Sequence, residues 1–130
     1  TLSREQEARA RAAMRAIATQ NNLPKTSAEI TFSDGYPAMA PTDGNQRLLA
    51  LLSQTSDDLG YGPVTAFDPG KRGAADISFV ADYVDALEGI GIEGRGAHAL
   101  NEEIDLNTLP MLIERAAVLM YRISQQGALN

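Results

Sequence analysis

The sequence predicts an α/β fold. Amphipathic helical patterns alternate along the chain with short stretches in which apolar and polar residues alternate, and this order favours helices packed on a sheet. The chain has 130 residues, of which 44% are hydrophobic, enough for one domain or for a piece of a larger protein. It contains no internal repeat and no low-complexity segment.

The first third of the chain predicts one helix and one strand. Ser3, followed three residues later by Gln6, is typical of a capping box and predicts the start of an amphipathic helix over residues 3–21. The stretch NNLPKTS favours a turn and ends that helix. In the segment AEITFSDGYPAM, residues 28–39, apolar and polar residues alternate, which predicts a half-buried strand.

The middle of the chain predicts a second helix, a second strand and a third helix. Thr42 or Asp43 is a candidate N-cap of a helix that carries Leu48, Leu51, Leu52 and Leu59 and ends at Gly60. Residues 61–70, YGPVTAFDPG, predict a short buried strand that leads into a turn. Residues 71–84 predict a glycine turn that opens a helix. The inward-facing side chains of this helix are expected to be Phe79, Val80 and Tyr83.

The C-terminal stretch predicts a long helix that ends near residue 125. Asn107 is a candidate N-cap. Pro110 is tolerated in the first turn, where the missing N–H costs no hydrogen bond. The buried stripe of this helix is expected to comprise Leu109, Leu112, Ile113, Ala116, Ala117 and Met120.

Charge and composition exclude several classes of function. The net charge is −6, from 17 acidic and 11 basic residues, and this balance opposes binding to nucleic acid. No apolar run is long enough to span a membrane, so we expect a soluble protein, in the cytoplasm or the periplasm. The chain has no cysteine, which excludes disulfides and thiolate metal sites.

The single histidine, His98, lies in the glycine-rich stretch GIEGRGAHALNEEIDL. Gly94 and Gly96 permit backbone conformations that other residues avoid. Glu102, four residues after the imidazole, is expected either to orient the ring or to lie near the N-terminus of the next helix. A lone histidine is more often a structural residue than a metal ligand. Zinc takes about four ligands, so either His98 is not a ligand or the other ligands lie outside this chain.

Three blocks of the sequence resemble, in order and spacing, the C-terminal part of the M20 family of zinc peptidases, typified by glutamate carboxypeptidase. The blocks are YPAMAPTDGNQRLLALLSQTSDDLG, GKRGAADISFVADY and LEGIGIEGRGAHALNEEIDLNTLPMLIERAAVLMYRI. Three ordered blocks are more specific than any single motif. The likeness covers roughly residues 28–124 and is strongest around His98 and Asp76.

The resemblance implies a two-domain enzyme, in which a smaller ferredoxin-like lid or dimerisation domain is inserted into a catalytic α/β domain that holds two zinc ions. On this plan, residues 1–38 are the end of the lid domain and residues 39–130 belong to the catalytic domain. The family also needs an upstream histidine and further carboxylates. With one histidine, this chain cannot supply them all.

The resemblance also implies roles for individual residues. His98 matches a zinc ligand of the family, and Glu102 matches the acidic residue that follows that ligand. Gly73, Ala74, Ala75 and Asp76 match a turn near the substrate, whose helix N-terminus would receive an anionic group. Ala75 departs from the family, which usually has a hydroxyl there. Glu93 and Arg95 also depart from it and add charge to the rim of the His98 loop.

The function that this implies is hydrolysis of a peptide or amide bond near a free carboxylate by zinc-activated water. Peptides or N-acyl amino acids are the expected substrates, and the isolated chain is expected to be inactive. We expect association with a missing N-terminal segment of the same protein or a homo-oligomer, because unpaired strand edges invite pairing. The alternatives are a non-catalytic dimerisation module derived from such an enzyme, and an accidental likeness.

Overall fold

The computed structural model describes residues 3–20, 22–68, 70–71 and 75–127. The elements are α1 (Arg4–Ala18), α2 (Asp43–Asp58), a 3₁₀ helix (Asp76–Phe79), β1 (Gly94–Arg95), β2 (Glu103–Ile104) and α3 (Leu109–Gln126). Helices and a small sheet therefore occur in one chain, as the α/β prediction requires. Among the helices described, none is long and apolar enough to cross a membrane.

The chain divides into two compact units, each built from two segments. The first unit comprises Thr1–Pro41 and Phe67–Val84, and the second comprises Thr42–Ala66 and Asp85–Asn130. The predicted domain boundary at residue 38 concerns the division of a whole enzyme and stays a prediction.

Helix α1 dominates the first unit. The predicted cap is confirmed, because the Ser3 hydroxyl accepts a hydrogen bond of 3.1 Å from the backbone N–H of Gln6. No residue of α1 is buried. Its contact with the following segment is made by arginines instead, since the guanidinium groups of Arg11 and Arg15 lie 5.3 and 4.9 Å from the centre of the Phe32 ring. Such cation–π contacts stabilise by about 0.5–1 kcal/mol at exposed sites.

The prediction of strands at residues 28–39 and 61–70 is wrong for the residues that the structure describes. Neither segment forms a ladder, since the sheet of the described chain consists of β1 and β2 alone. A strand needs a partner for its backbone N–H and C=O groups, and apolar–polar alternation does not supply one. In the second segment a side chain takes that role, because the Val64 N–H donates to the Ser53 hydroxyl at 3.1 Å.

The predicted helix after the glycine turn is also wrong in length and facing. Among the described residues of this segment, the four residues Asp76–Phe79 are helical, in a 3₁₀ turn, and Ser78 is the buried member. Phe79, Val80 and Tyr83 are exposed rather than inward-facing. A short helix is marginal without packing, since the nucleating turn fixes several residues for one hydrogen bond.

In the second unit, α2 lies against α3. The predicted start of α2 is confirmed at Thr42, whose hydroxyl accepts from the Asn45 N–H while the Asn45 side chain accepts from the Thr42 N–H, a capping box. The predicted end is confirmed at Gly60, where φ is +80°. A left-handed residue here favours glycine and ends the helix.

The buried side of α3 differs from the predicted stripe. Leu112 and Leu119 are buried, whereas Ile113 and Met120 are exposed. Spacing by seven residues, equal to about two helical turns, places Leu112 and Leu119 on one face. Leu52 of α2 is buried as well, and the three leucines form most of the apolar core of this unit.

Polar side chains join the C-terminal ends of α2 and α3. Arg122 contacts the Asp58 carboxylate at 2.7 Å and donates to the Thr55 hydroxyl at 3.3 Å. At the other end of α3, Pro110 lies in the first turn as predicted, but the N-cap is Thr108 and not Asn107. Asn107 instead donates its side-chain amide to Asp105 at 3.0 Å and so takes part in the preceding turn.

Candidate functional site

The glycine-rich stretch around the single histidine folds as a β-hairpin. In the antiparallel pair of β1 and β2, Gly94 lies opposite Ile104 and Arg95 lies opposite Glu103. The Asp105 N–H donates to the Glu93 carbonyl at 2.8 Å and extends the pairing by one step. The sequence analysis predicted a loop at this place and missed the hairpin, since neither two-residue strand has a detectable alternation.

Gly94 is required at its position because the two strands approach closely there. A Cβ atom added to Gly94 would overlap the carbonyl oxygen of Glu103, which belongs to the backbone and cannot rotate away. The close approach is the structural reason for a glycine at this point of the hairpin.

His98 lies near the tip of the hairpin, in the connection formed by residues 96–102. Two turns shape this connection: the Ala99 N–H donates to the Gly96 carbonyl at 2.8 Å, and the Glu102 N–H donates to the Ala99 carbonyl at 3.1 Å. The side chain of His98 is exposed, and its backbone has φ = +66°. A positive φ is uncommon outside glycine, so the surrounding turn fixes the histidine in a conformation that it would rarely adopt by itself.

Glu102 contacts His98 through the backbone. Its Oε2 atom accepts a hydrogen bond of 3.3 Å from the His98 N–H. The carboxylate therefore supports the left-handed conformation of the histidine, because it satisfies the amide that this conformation turns outward from the regular ladder. The predicted role of Glu102 in orienting the imidazole ring stays a prediction.

The described residues contain no complete metal site. No group of three or more histidine, aspartate or glutamate side chains that could hold a metal ion occurs in the described part of the chain. An exposed imidazole at a hairpin tip is accessible and fits the role of one zinc ligand, but a catalytic zinc takes about three ligands from protein. These residues therefore fit a contribution of one ligand and not a zinc centre of their own.

The second predicted site lies in the first unit, around Asp76. Gly73 and Ala74 fall outside the described residues, and Ala75 is the extended residue that precedes the 3₁₀ helix. The hydroxyl of Tyr36 donates to Asp76 Oδ1 at 2.8 Å. The ring of Phe79 lies against that of Tyr36, with centroids 5.1 Å apart.

Tyr36 is a candidate site residue that the sequence analysis missed. It is 40 residues from Asp76, and no spacing rule links the two positions. The hydrogen bond to Asp76, together with the charge of that carboxylate, raises the pKa of the Tyr36 hydroxyl above its ordinary value. The phenol therefore stays protonated, and one carboxylate oxygen of Asp76 is engaged by it.

The anion site predicted at the helix N-terminus has little structural support. The helix that starts at Asp76 has only four residues, and a macrodipole needs a longer run of aligned peptide groups. The negative carboxylate of Asp76 also opposes an anion at this point. Residues 73–76 remain substrate-site candidates by resemblance alone. His98 belongs to the second unit and Asp76 to the first.

The comparison with known families defines the class of the protein. Residues 4–122 match the model of a family of peptidases, enzymes that hydrolyse peptide bonds and in this family generally depend on metal. The match covers most of the chain, which belongs to peptidase family M20/M25/M40. No curated protein and no solved structure gives a significant match.

Proposed function

We propose that this chain is the C-terminal portion of an M20 metallopeptidase similar to glutamate carboxypeptidase. The proposed reaction is hydrolysis of a peptide or amide bond next to a free carboxylate, in substrates such as peptides or N-acyl amino acids. The observation that carries the proposal is the exposed, backbone-fixed imidazole of His98, in a chain that belongs to this family.

His98 would supply one ligand to the metal centre of the enzyme. Neutral imidazole is a good zinc ligand, and the Glu102 contact and the two turns hold the residue in one backbone conformation. The chain has no second histidine, so a further imidazole ligand would come from another part of the enzyme. When bound, zinc would supply a water whose pKa is lowered towards about 7.

Within the first unit, the turn at residues 73–76 would bind substrate by resemblance to the family, and Tyr36 contacts this turn through Asp76. Ala75 lacks the hydroxyl that the family usually has, so a hydrogen bond to substrate at this point is absent or is made by another group. The Tyr36 hydroxyl has a single proton and donates it to Asp76, so it does not replace the missing hydroxyl as a donor.

Exposed apolar side chains support an association with the rest of an enzyme. Met14 and Ile17 of α1 and Ile113 and Met120 of α3 are all exposed, although each lies on an amphipathic helix. Apolar helix faces of this kind are usually buried against another element. Their exposure supports a missing N-terminal segment of the same protein, or a second copy of the chain, as the partner.

A second candidate function is a non-catalytic dimerisation module. Segment 28–35, which pairs with no strand among the described residues, favours it, because a backbone segment outside any sheet can add to a strand of another copy. The fixed conformation of His98 opposes it, since a module without metal has no use for this residue.

Zinc content of the native protein tests the proposal. The expected result for the wild type is near-stoichiometric zinc and an assembly larger than this chain, and for His98→Gln a loss of at least one zinc per chain. Leu100→Ala is the matched control, because Leu100 lies in the same connection with a fully exposed side chain. Equal zinc in the wild type and in His98→Gln would refute a ligand role for His98.

A further inference from the structure

We propose that Arg95 and Glu103 form a positioning pair that closes the His98 hairpin, and that Arg95 is not a contact for the substrate carboxylate. The inference rests on the proposed function, in which His98 is a metal ligand. Arg95 departs from the family pattern at the rim of the loop, where a free cation would be a natural anchor for a substrate anion. The structure gives this cation another partner.

Arg95 and Glu103 face each other directly across the two strands. Both Nε and Nη2 of Arg95 donate to Glu103 Oε2, at 3.0 and 2.7 Å. Opposite charges at directly paired positions stabilise an antiparallel ladder by about 0.2–1 kcal/mol. The contribution matters here because the ladder has only two residues in each strand, and few other interactions hold it closed.

The ion pair is placed where it controls the histidine loop. Residues 96–102 connect the two paired positions directly, so the pair lies at the base of the loop and His98 lies near its tip. Fixing the base shortens the segment that is free to move and lowers the entropy cost of holding His98 with φ = +66°. A metal ligand that is held in advance binds more tightly than one that must be ordered on binding.

The neighbouring carboxylates of Glu102 and Glu103 stabilise different parts of the hairpin. Glu103 binds the guanidinium of Arg95 at the base, and Glu102 binds the backbone N–H of His98 inside the loop. The carboxylate of Glu103 also balances the positive charge of Arg95, which would otherwise attract a substrate anion. A substrate carboxylate that approached the Nε–Nη2 edge of Arg95 would have to displace Glu103, which lies directly opposite.

The experiment uses four variants of the full-length native protein. Arg95→Gln and Glu103→Gln each break the ion pair with little change in size. The double variant Arg95→Glu/Glu103→Arg restores it with the charges exchanged. Arg47→Gln is the matched control, because it removes a different exposed ion pair in the same unit, the 3.3 Å contact with Asp85.

Two readouts are measured for each variant. The first is hydrogen exchange of the backbone amides of Ala99, Glu102 and Asp105, whose hydrogen bonds define the hairpin. The second is the dissociation constant of Zn²⁺, from competition with a chelator. Each single variant is expected to raise the exchange rate of these amides and the dissociation constant of Zn²⁺ about two- to fivefold, in keeping with an exposed ion pair. The exchanged pair should recover most of the loss, and the control should change neither.

Three other results would contradict the inference or its link to metal. Unchanged exchange and zinc affinity in both single variants would overturn the inference. In a separate kinetic measurement, a KM raised by Arg95→Gln but not by Glu103→Gln would make Arg95 a substrate anchor. Faster exchange with unchanged zinc affinity would also overturn it, because the pair would then be structural only. A wild-type protein without zinc would refute the proposed function and this inference's link to metal, while the exchange readout would still decide whether the pair closes the loop.

Discussion

Leu119 and Met120 are neighbours in α3 that the structure places in opposite environments. Leu119 is 5% exposed, whereas Met120 is 64% exposed. The sequence analysis assigned Met120 to the buried stripe and omitted Leu119, so the two residues distinguish the predicted face of the helix from the observed one. We therefore compare Leu119→Ala with Met120→Ala in the 130-residue chain.

The expected costs follow from burial. Replacement of a buried leucine by alanine costs about 2–5 kcal/mol, and the lower half of this range applies where the surroundings can collapse into the space. Leu119 lies in a small core beside α2, so we expect about 2–3 kcal/mol. Met120 has only about a third of its side chain covered, which gives about 1 kcal/mol or less. The gain in helix propensity is small and similar for both substitutions, so it cancels in the comparison.

Urea unfolding followed by far-UV circular dichroism measures both free energies. A difference of about 1.4 kcal/mol corresponds to a tenfold change in the ratio of folded to unfolded chain, which this assay resolves. The slope of the free energy against urea should stay constant, so that only the midpoint moves. An equal or larger loss for Met120→Ala would refute the observed packing of α3 on α2 and would favour the predicted stripe.

Two further predictions concern pH. Hydrogen bonds from Gln54 and then from Arg122 hold the pKa of Asp58 below its ordinary value of 3.8, so the stabilisation is present above that value and is lost as the pH falls through the lower folded pKa. Asp58→Asn should lower the urea midpoint at pH 7 and flatten the loss of stability in acid; an unchanged acid profile would contradict the role of these contacts. Because Asp76 raises the pKa of Tyr36 above 10.0, Asp76→Asn should lower that pKa in a near-ultraviolet absorbance titration, and the stability that the contact gives the wild type should disappear as the pH rises through the raised pKa. An identical tyrosine titration in both proteins would contradict the contact.

Parts of the candidate site followed from the sequence because they are local. Glu102 is four residues from His98, and their contact closes a single turn of chain. The link between Tyr36 and Asp76 could not be predicted, because 40 residues separate them and neither belongs to a periodic pattern. The pairing of Arg95 with Glu103 could not be predicted either, because it depends on the register of the hairpin. A two-residue strand is too short for its register to be recognised in the sequence.

The sequence by itself determined the three long helices α1, α2 and α3, the family and the position of the single imidazole. Caps at Ser3 and Thr42 and the stop at Gly60 are short-range interactions between residues three or four apart, so they can be identified before any fold is known. Tertiary structure alone decided that residues 28–39 join no sheet among the described residues, and which face of α3 is buried. The pairing of a strand and the buried face of a helix both depend on which other part of the chain packs against them. A periodic pattern indicates an apolar side, but it does not identify the element that packs on that side.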